Sequence, residues 1–168
     1  MNTHEAAPAS YLLAYVKKAR STDLGTALAA ALERTERLYA AIPEERGLHR
    51  YAPGKWSIKE SLQHITDTER VFAYRALRFA RNDGTALPSM DEDMYAAESK
   101  ADRHTLRIIL NEHILVRKAN QAMFAGFGEG MLKRSGIASG SRIDVRSLGM
   151  IIAGHAEHHC DILEQRYC

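Results

Sequence analysis

"KWSIKESLQHITDTERVFAYRALRFARNDGTALPSMDEDMYAAESKA", residues 55–101, decides the fold. Its first half carries a strong helix start. Ser57 and Glu60 form an S-x-x-E capping box, in which each side chain ties up a free backbone N–H at the helix entrance. Ile58, Ile65, Phe72, Ala76 and Phe79 then make one apolar stripe, so a helix is predicted from Ile58 to about Asn82, where Asp83-Gly84 breaks it. The connection that follows, "DGTALPSMDEDMYAAESKA", is longer than most loops in compact domains. A helix of 25 residues is about 37 Å long at 1.5 Å per residue. An extended connection covers up to ~3.3 Å per residue and can return along its whole length. The next helix can therefore run parallel to this one, joined to it by a crossover.

The same periodicity extends to either side. A short amphipathic piece, "SYLLAYVKKA", precedes a long helix in "TDLGTALAAALERTERLYAAI", which starts near Ser21 and stops before Pro43. After the crossover, "DRHTLRIILNEHILVRKANQAMFAGF" predicts a helix from about 102 to 125. A loop rich in Gly and Ser follows, and Asp144 is then a good N-cap for a last helix from Val145 to about Arg166. Four long helices of similar length predict an all-α chain, a four-helix bundle forming one domain over residues 1–168.

Composition removes several classes. Of the 168 residues 45% are hydrophobic and 26% charged, which excludes disordered and collagen-like chains. No apolar run approaches the roughly 20 residues of a membrane-spanning helix. The net charge is +2 with charges of both signs interspersed, so no basic stripe for nucleic acid stands out. "MNTHEAAPAS" has no basic cluster and no long apolar stretch, so no signal peptide is expected. The two cysteines, Cys160 and Cys168, are too close in sequence to staple more than a tiny loop, and a reducing cytoplasm is the expected location.

Chemistry concentrates in "IIAGHAEHHCDIL", residues 151–163. With about 100° per residue and His155 at zero, Leu148, Ile151, Ile152, Ile162 and Leu163 fall between about −40° and +80°. His159 lies near +40°, inside this arc, and His158 near −60°, at its edge. Glu157 and Cys160 point well away. His155 and His159 thus face the interior one turn apart, a spacing that can put two imidazole nitrogens on one metal ion. The competing interpretation is a pair of core histidines satisfied by hydrogen bonds, but burying two imidazoles leaves two polar rings to satisfy. A third ligand has several candidates. His64 sits beside the core stripe of the second long helix, His113 can face the core, His104 lies near a helix start, and His49 and His4 occupy less regular segments. Other metal patterns fit worse. Ala156 stands where an H-E-x-x-H site needs its glutamate, and no Glu-x-x-His motif occurs. Cys160 points off the histidine face and reads as a small buried filler rather than a nucleophile.

Residues 51–81, "YAPGKWSIKESLQHITDTERVFAYRALRFAR", together with residues 144–163, "DVRSLGMIIAGHAEHHCDIL", resemble the DinB-like (YfiT-related) superfamily of metal-binding helical bundles. The resemblance rests on G-K-W-S-x-x-E-x-x-x-H-x-x-D-x-E-R and the late H-x-x-x-H, and it extends over nearly the whole chain. It implies up-down-down-up helix order, in agreement with the crossover. It implies a divalent metal on His64, His155 and His159, with His158 outside the ligand set. Homodimers are also implied. Relatives include mycothiol-dependent maleylpyruvate isomerase, bacillithiol transferases and metal-dependent hydrolases, so the resemblance implies a metal much more strongly than any substrate.

Three protein ligands leave coordination positions open, which is the catalytic rather than the structural pattern. The expected function is transfer of a low-molecular-weight thiol, activated by the metal, to an electrophile. Hydrolysis through metal-bound hydroxide is the alternative, and a non-catalytic stress-related protein with a structural metal is the third. Zinc or nickel is expected first, though three imidazoles accommodate iron and copper as well. Asp67, one turn after His64, is a candidate to accept that ring's other N–H, the alternative being a surface residue paired with a nearby base. Arg75 and Arg78 are candidates to bind a substrate carboxylate, Arg75 lying within about 20° of His64 in projection. Against that role, both could instead cap loops or pair with Asp91 or Glu92. A general acid or base is not legible in the sequence.

Overall fold

A computed structural model of the chain describes residues 9–167, so His4 and Cys168 lie outside the described residues. The elements in chain order are α1 (Ala9–Val16), α2 (Leu24–Ala40), α3 (Ile58–Ala80), α4 (Glu92–Ser99), α5 (Leu106–Ala125), α6 (Glu129–Leu132), β1 (Ser135–Ala138), β2 (Ser141–Asp144) and α7 (Val145–Ile162). Helix α7 continues as a π-helical turn over Leu163–Tyr167.

Each long helix begins on a polar cap that accepts from the first turn, satisfying donors that would otherwise be stranded. Asp23 accepts from the Thr26 N–H on α2, and Ser57 with Glu60 completes the capping box on α3. Thr105 caps α5, and Asp144 accepts from the Ser147 N–H on α7 at 2.8 Å.

Contacts between helices fix their directions. Along α3 and α5 the partners advance together: Ser57 with Asp102, Thr66 with His113, Glu69 with Arg117. These two helices are parallel. Helices α2 and α7 are parallel as well, since Leu24 packs at Gly149 while Arg34 and Thr35 meet Glu157 and Cys160. Between the pairs the order reverses. Glu44 and Leu28 of the α2 region meet Leu106 and Arg117, while Trp56 and Phe79 lie against His159 and Gly136. The four long helices thus run up-down-down-up, and the α3 to α5 connection is the crossover that the sequence predicts.

The connections hold more structure than expected. The crossover contains α4 and a 3-10 turn, Ala101–Arg103, so α5 starts at Leu106 rather than near 102. The Gly/Ser-rich segment before α7 folds into α6 and an antiparallel hairpin. Its two-residue turn, Ser139-Gly140, has φ of 51° and 77°, the paired positive values of a turn matched to strand twist. Leu87 of the crossover joins the hairpin by bonding Ile137 and Ser139. Helix α3 stops at Ala80, two residues early, and Asn82 takes a φ of 64°.

Helix α7 is buried around its whole girth. Glu157 and Cys160, placed well away from the histidine face, are 2% and 0% exposed because α1 and α2 cover that side. Arg34 of α2 gives Glu157 its counter-charge at 2.5 Å. Helix α1 comes so close that a Cβ at Gly154 would stand 1.8 Å from the Tyr15 carbonyl oxygen, so only glycine admits this contact. Among the described residues, no helix is long and apolar enough to cross a membrane.

Candidate metal centre

His64 points inward from the second turn of α3, and His155 and His159 from successive turns of α7. Because these helices are antiparallel neighbours, the three rings converge. The Nε2 of His155 is 3.1 Å from that of His64 and 3.2 Å from that of His159. One ligand atom from each of the three lies within 4.8 Å of the others. Their exposures are 3%, 5% and 8%.

Burial sets the charge of the site. It pushes the His64 pKa down from 6.5 to about 4. It holds His155 and His159 well below 6.5, and the neighbouring histidines lower both further. All three rings are therefore neutral at pH 7, the form that ligates a metal. Nitrogens bound to one ion at about 2.0–2.1 Å sit roughly 2.9–3.4 Å apart for inter-ligand angles from octahedral to tetrahedral. The spacing around His155 falls in that range, so the donor set fits a divalent transition metal.

Asp67 does not back His64. It accepts from Gln63 at 3.0 Å and from Arg70 at 3.5 Å. The Nδ1 of His64 faces the Thr68 hydroxyl at 3.4 Å instead. The reason is rotational: residue i+4 lies within about 40° of His64 around the helix, whereas i+3 lies about 60° to the other side. Thr68, buried and adjacent, is the group that can fix the ring's tautomer. Thr68→Val is expected to weaken metal affinity roughly 10–100-fold. Asp67→Asn should leave it unchanged. A competition titration with a chelator of known affinity measures both.

Arg75 and Arg78 do not reach the histidines. Arg75 shares a helix face with His64, but eleven residues at 1.5 Å each place it roughly 16 Å farther along α3. It donates to the Pro88 carbonyl at 2.7 Å and the Ser139 hydroxyl at 3.0 Å, tying the crossover to the hairpin. Arg78 pairs with Asp83 and with the Tyr74 hydroxyl at the far end of α3. Both therefore tie loops rather than present themselves to a ligand at the metal.

The remaining histidines separate clearly. His158 stays outside the cluster, half-buried, with its ring 5.3 Å from that of His159 and 5.4 Å from that of Tyr15. His113 is fully buried but belongs to another layer, beside Thr66 and the buried Glu69–Arg117 pair. His104 and His49 are exposed. Cys160 meets Thr35 away from the site, and burial raises its thiol pKa.

Two aromatic rings complete the site. Trp56 lies 4.5 Å from the His64 ring, and Tyr15 meets His155 edge-on at 5.2 Å. Trp56 stands in the G-K-W-S stretch directly before the α3 cap. Its sequence position marks a helix entrance and says nothing of the imidazoles beside it. Tyr15 arrives from α1, a contact that no local pattern predicts.

Comparison with known proteins follows this geometry. A family model described as the DinB superfamily matches residues 27–163. No curated protein sequence matches the chain. Among solved structures, YfiT from Bacillus subtilis superposes with a TM-score of 0.74. The match covers 98% of this chain and 90% of that one at 11% identity. YfiT is described as a probable metal-dependent hydrolase with an unusual four-helix bundle topology.

Proposed function

The chain belongs to the DinB superfamily, and from that premise we propose that it is a metal-dependent transferase acting with a low-molecular-weight thiol. The observation that carries this is the charge balance around His64, His155 and His159. Burial and other histidines account for their lowered pKa values, with Arg117 adding to that of His155. The hydrogen bonds of the three rings run to one another and to Thr68. A divalent ion held by three neutral imidazoles keeps its full charge and, when bound, lowers the pKa of a thiol or water that joins it.

The chain's own part is to hold and to exclude. His64, His155 and His159 supply the ligand nitrogens, and burial keeps those nitrogens free of protons at neutral pH. Thr68 orients the His64 ring. Trp56 and Tyr15 pack against the His64 and His155 rings. A thiol, with a reference pKa near 8.5, needs far less help to ionise than water at 15.7. A site built of neutral imidazoles therefore suits a thiol better. In the transfer, the thiol proton leaves to solvent, a carbon–sulfur bond forms, and the leaving group departs with its electron pair.

Hydrolysis is the second reading, favoured by the fold shared with a protein described as a probable metal-dependent hydrolase. One experiment separates the two. Zinc- or nickel-loaded protein is incubated with a panel of small thiols and 1-chloro-2,4-dinitrobenzene, and separately with a nitrophenyl ester and no thiol. Metal-dependent thioether formation that His155→Ala abolishes is the expected result. Ester cleavage without thioether formation would favour the hydrolase. Neither activity in protein with stoichiometric metal would leave the ion a structural role.

A further inference from the structure

The loop before α3 brings the chain's single tryptophan onto the metal-site imidazoles. The Trp56 ring centre is 4.5 Å from that of His64, with 41° between the planes. It is 6.4 Å from that of His159, stacked at 23°. Unlike the three buried histidines, Trp56 keeps part of its surface in solvent.

Its position is fixed from both sides. The Tyr167 hydroxyl donates to the Trp56 carbonyl at 2.7 Å. Tyr167 is itself 4% exposed in the turn that ends α7, and its ring meets Tyr51 edge-on at 4.9 Å. On the other flank Ser57 caps α3 and donates to Asp102 at 2.5 Å. The backbone is thus held on both flanks while the indole packs on the His64 and His159 rings, a preset wall that saves the entropy of ordering it on binding.

We propose that Trp56 is a specificity-determining wall whose solvent-facing part receives a flat apolar or aromatic group attached to the metal-binding head of the substrate. The inference rests on the metal reading given above and names the kind of molecule that site takes. The ion would hold an anion-forming head such as a thiol. The indole would take an apolar body beside it, because stacking and area burial both favour an aromatic partner there.

Two hydroxamates that share one metal-binding head test this. Acetohydroxamate carries a methyl group and benzohydroxamate a phenyl group. Each is titrated calorimetrically into zinc-loaded protein, with affinities normalised to those for free zinc. Benzohydroxamate is expected to bind about tenfold tighter, the order of one stacked and buried ring. Only benzohydroxamate should shift the emission of Trp56. In Trp56→Ala the preference should fall to within twofold while acetohydroxamate still binds. Equal normalised affinities in the wild type, or a preference that survives in Trp56→Ala, would overturn the proposal. If Trp56→Ala does not fold, the wild-type ratio and the Trp56 emission decide it alone. Failure to take up zinc at all would instead defeat the metal reading, and it shows in the metal content before any hydroxamate is added.

Discussion

Replacing His155 with alanine is expected to lower metal affinity more than a hundredfold. Its Nε2 stands 3.1 and 3.2 Å from the other two candidate ligand nitrogens, so it is the centre of the cluster. Partners that merely orient a ligand cost 10–100-fold when lost, and a ligand itself should cost more. His64→Ala and His159→Ala should follow closely. His158→Ala should stay within a few-fold, since its ring only borders the cluster and Tyr15. Metal content after dialysis against a weak chelator measures all four. In the wild type, metal at a hundred times its Kd adds about 2.7 kcal/mol of stability. A strong chelator should then lower Tm by roughly 5–10 °C for a chain of this length. Equal metal loss in His158→Ala, or normal content in His155→Ala, would mean that the inner face of α7 has been assigned wrongly.

That face was readable from helical periodicity. Periodicity places His155 and His159 in the arc of Leu148, Ile151 and Ile152, and all of these are buried. Capping chemistry was equally legible: Ser57 with Glu60, and Asp144, each start the helix that their side chains announce. The crossover followed from length alone, because a connection of that size can return along α3. What lies inside the crossover was not legible. Helix α4 spans 8 residues, "EDMYAAES", and buries only Ala96, too little for an apolar stripe to show. The hairpin strands have 4 residues each, too few for an alternating pattern to show, and Leu87 joins them from far back in the chain.

The site roles that fell did so for different reasons. A helical projection collapses the axis, so Arg75 shared an angle with His64 while standing roughly three turns away. For Asp67 the projection itself disfavours the pairing, since Thr68 lies about 40° from the His64 direction and Asp67 about 60° to the other side. Charge preference pointed to the carboxylate, but rotation decided for the hydroxyl. Trp56 and Tyr15 were missed for a different reason. Both reach the imidazoles from segments outside the helices that carry them, and such contacts exist only in three dimensions.

Acid should unfold the metal-free protein between pH 6.5 and about 4, and the histidines set that window. His64 and His113 each titrate near 6.5 when exposed and near 4 in the fold. Burial is the cause named first for both. The unfolded chain therefore takes up these protons first as pH falls. Their contribution to stability is complete above pH 6.5, is lost as pH falls toward 4, and changes no further below that. A shift of this size corresponds to about 3 kcal/mol per group. Two such groups remove a large part of the 5–15 kcal/mol that holds a typical domain. His155 and His159 act in the same direction. His113 isolates the effect from the metal. Thr66 donates its proton to the Leu62 carbonyl at 3.0 Å, so at 3.2 Å it accepts from Nδ1–H of His113. The Nε2 of His113 is then a buried lone pair without a hydrogen-bond partner, and a proton added there gains none. His113→Leu should reduce the acid sensitivity by up to about 1.4 kcal/mol per pH unit within the window. Bound metal adds competition between protons and the ion for three imidazoles, so its loss should take up more than one proton per ion. Urea unfolding of chelator-treated protein at pH 7.5, 6 and 5 measures the first effect. Stability that stays level across those three values would show that these imidazoles are not held neutral by the bundle, and the neutral donor set would fall with it.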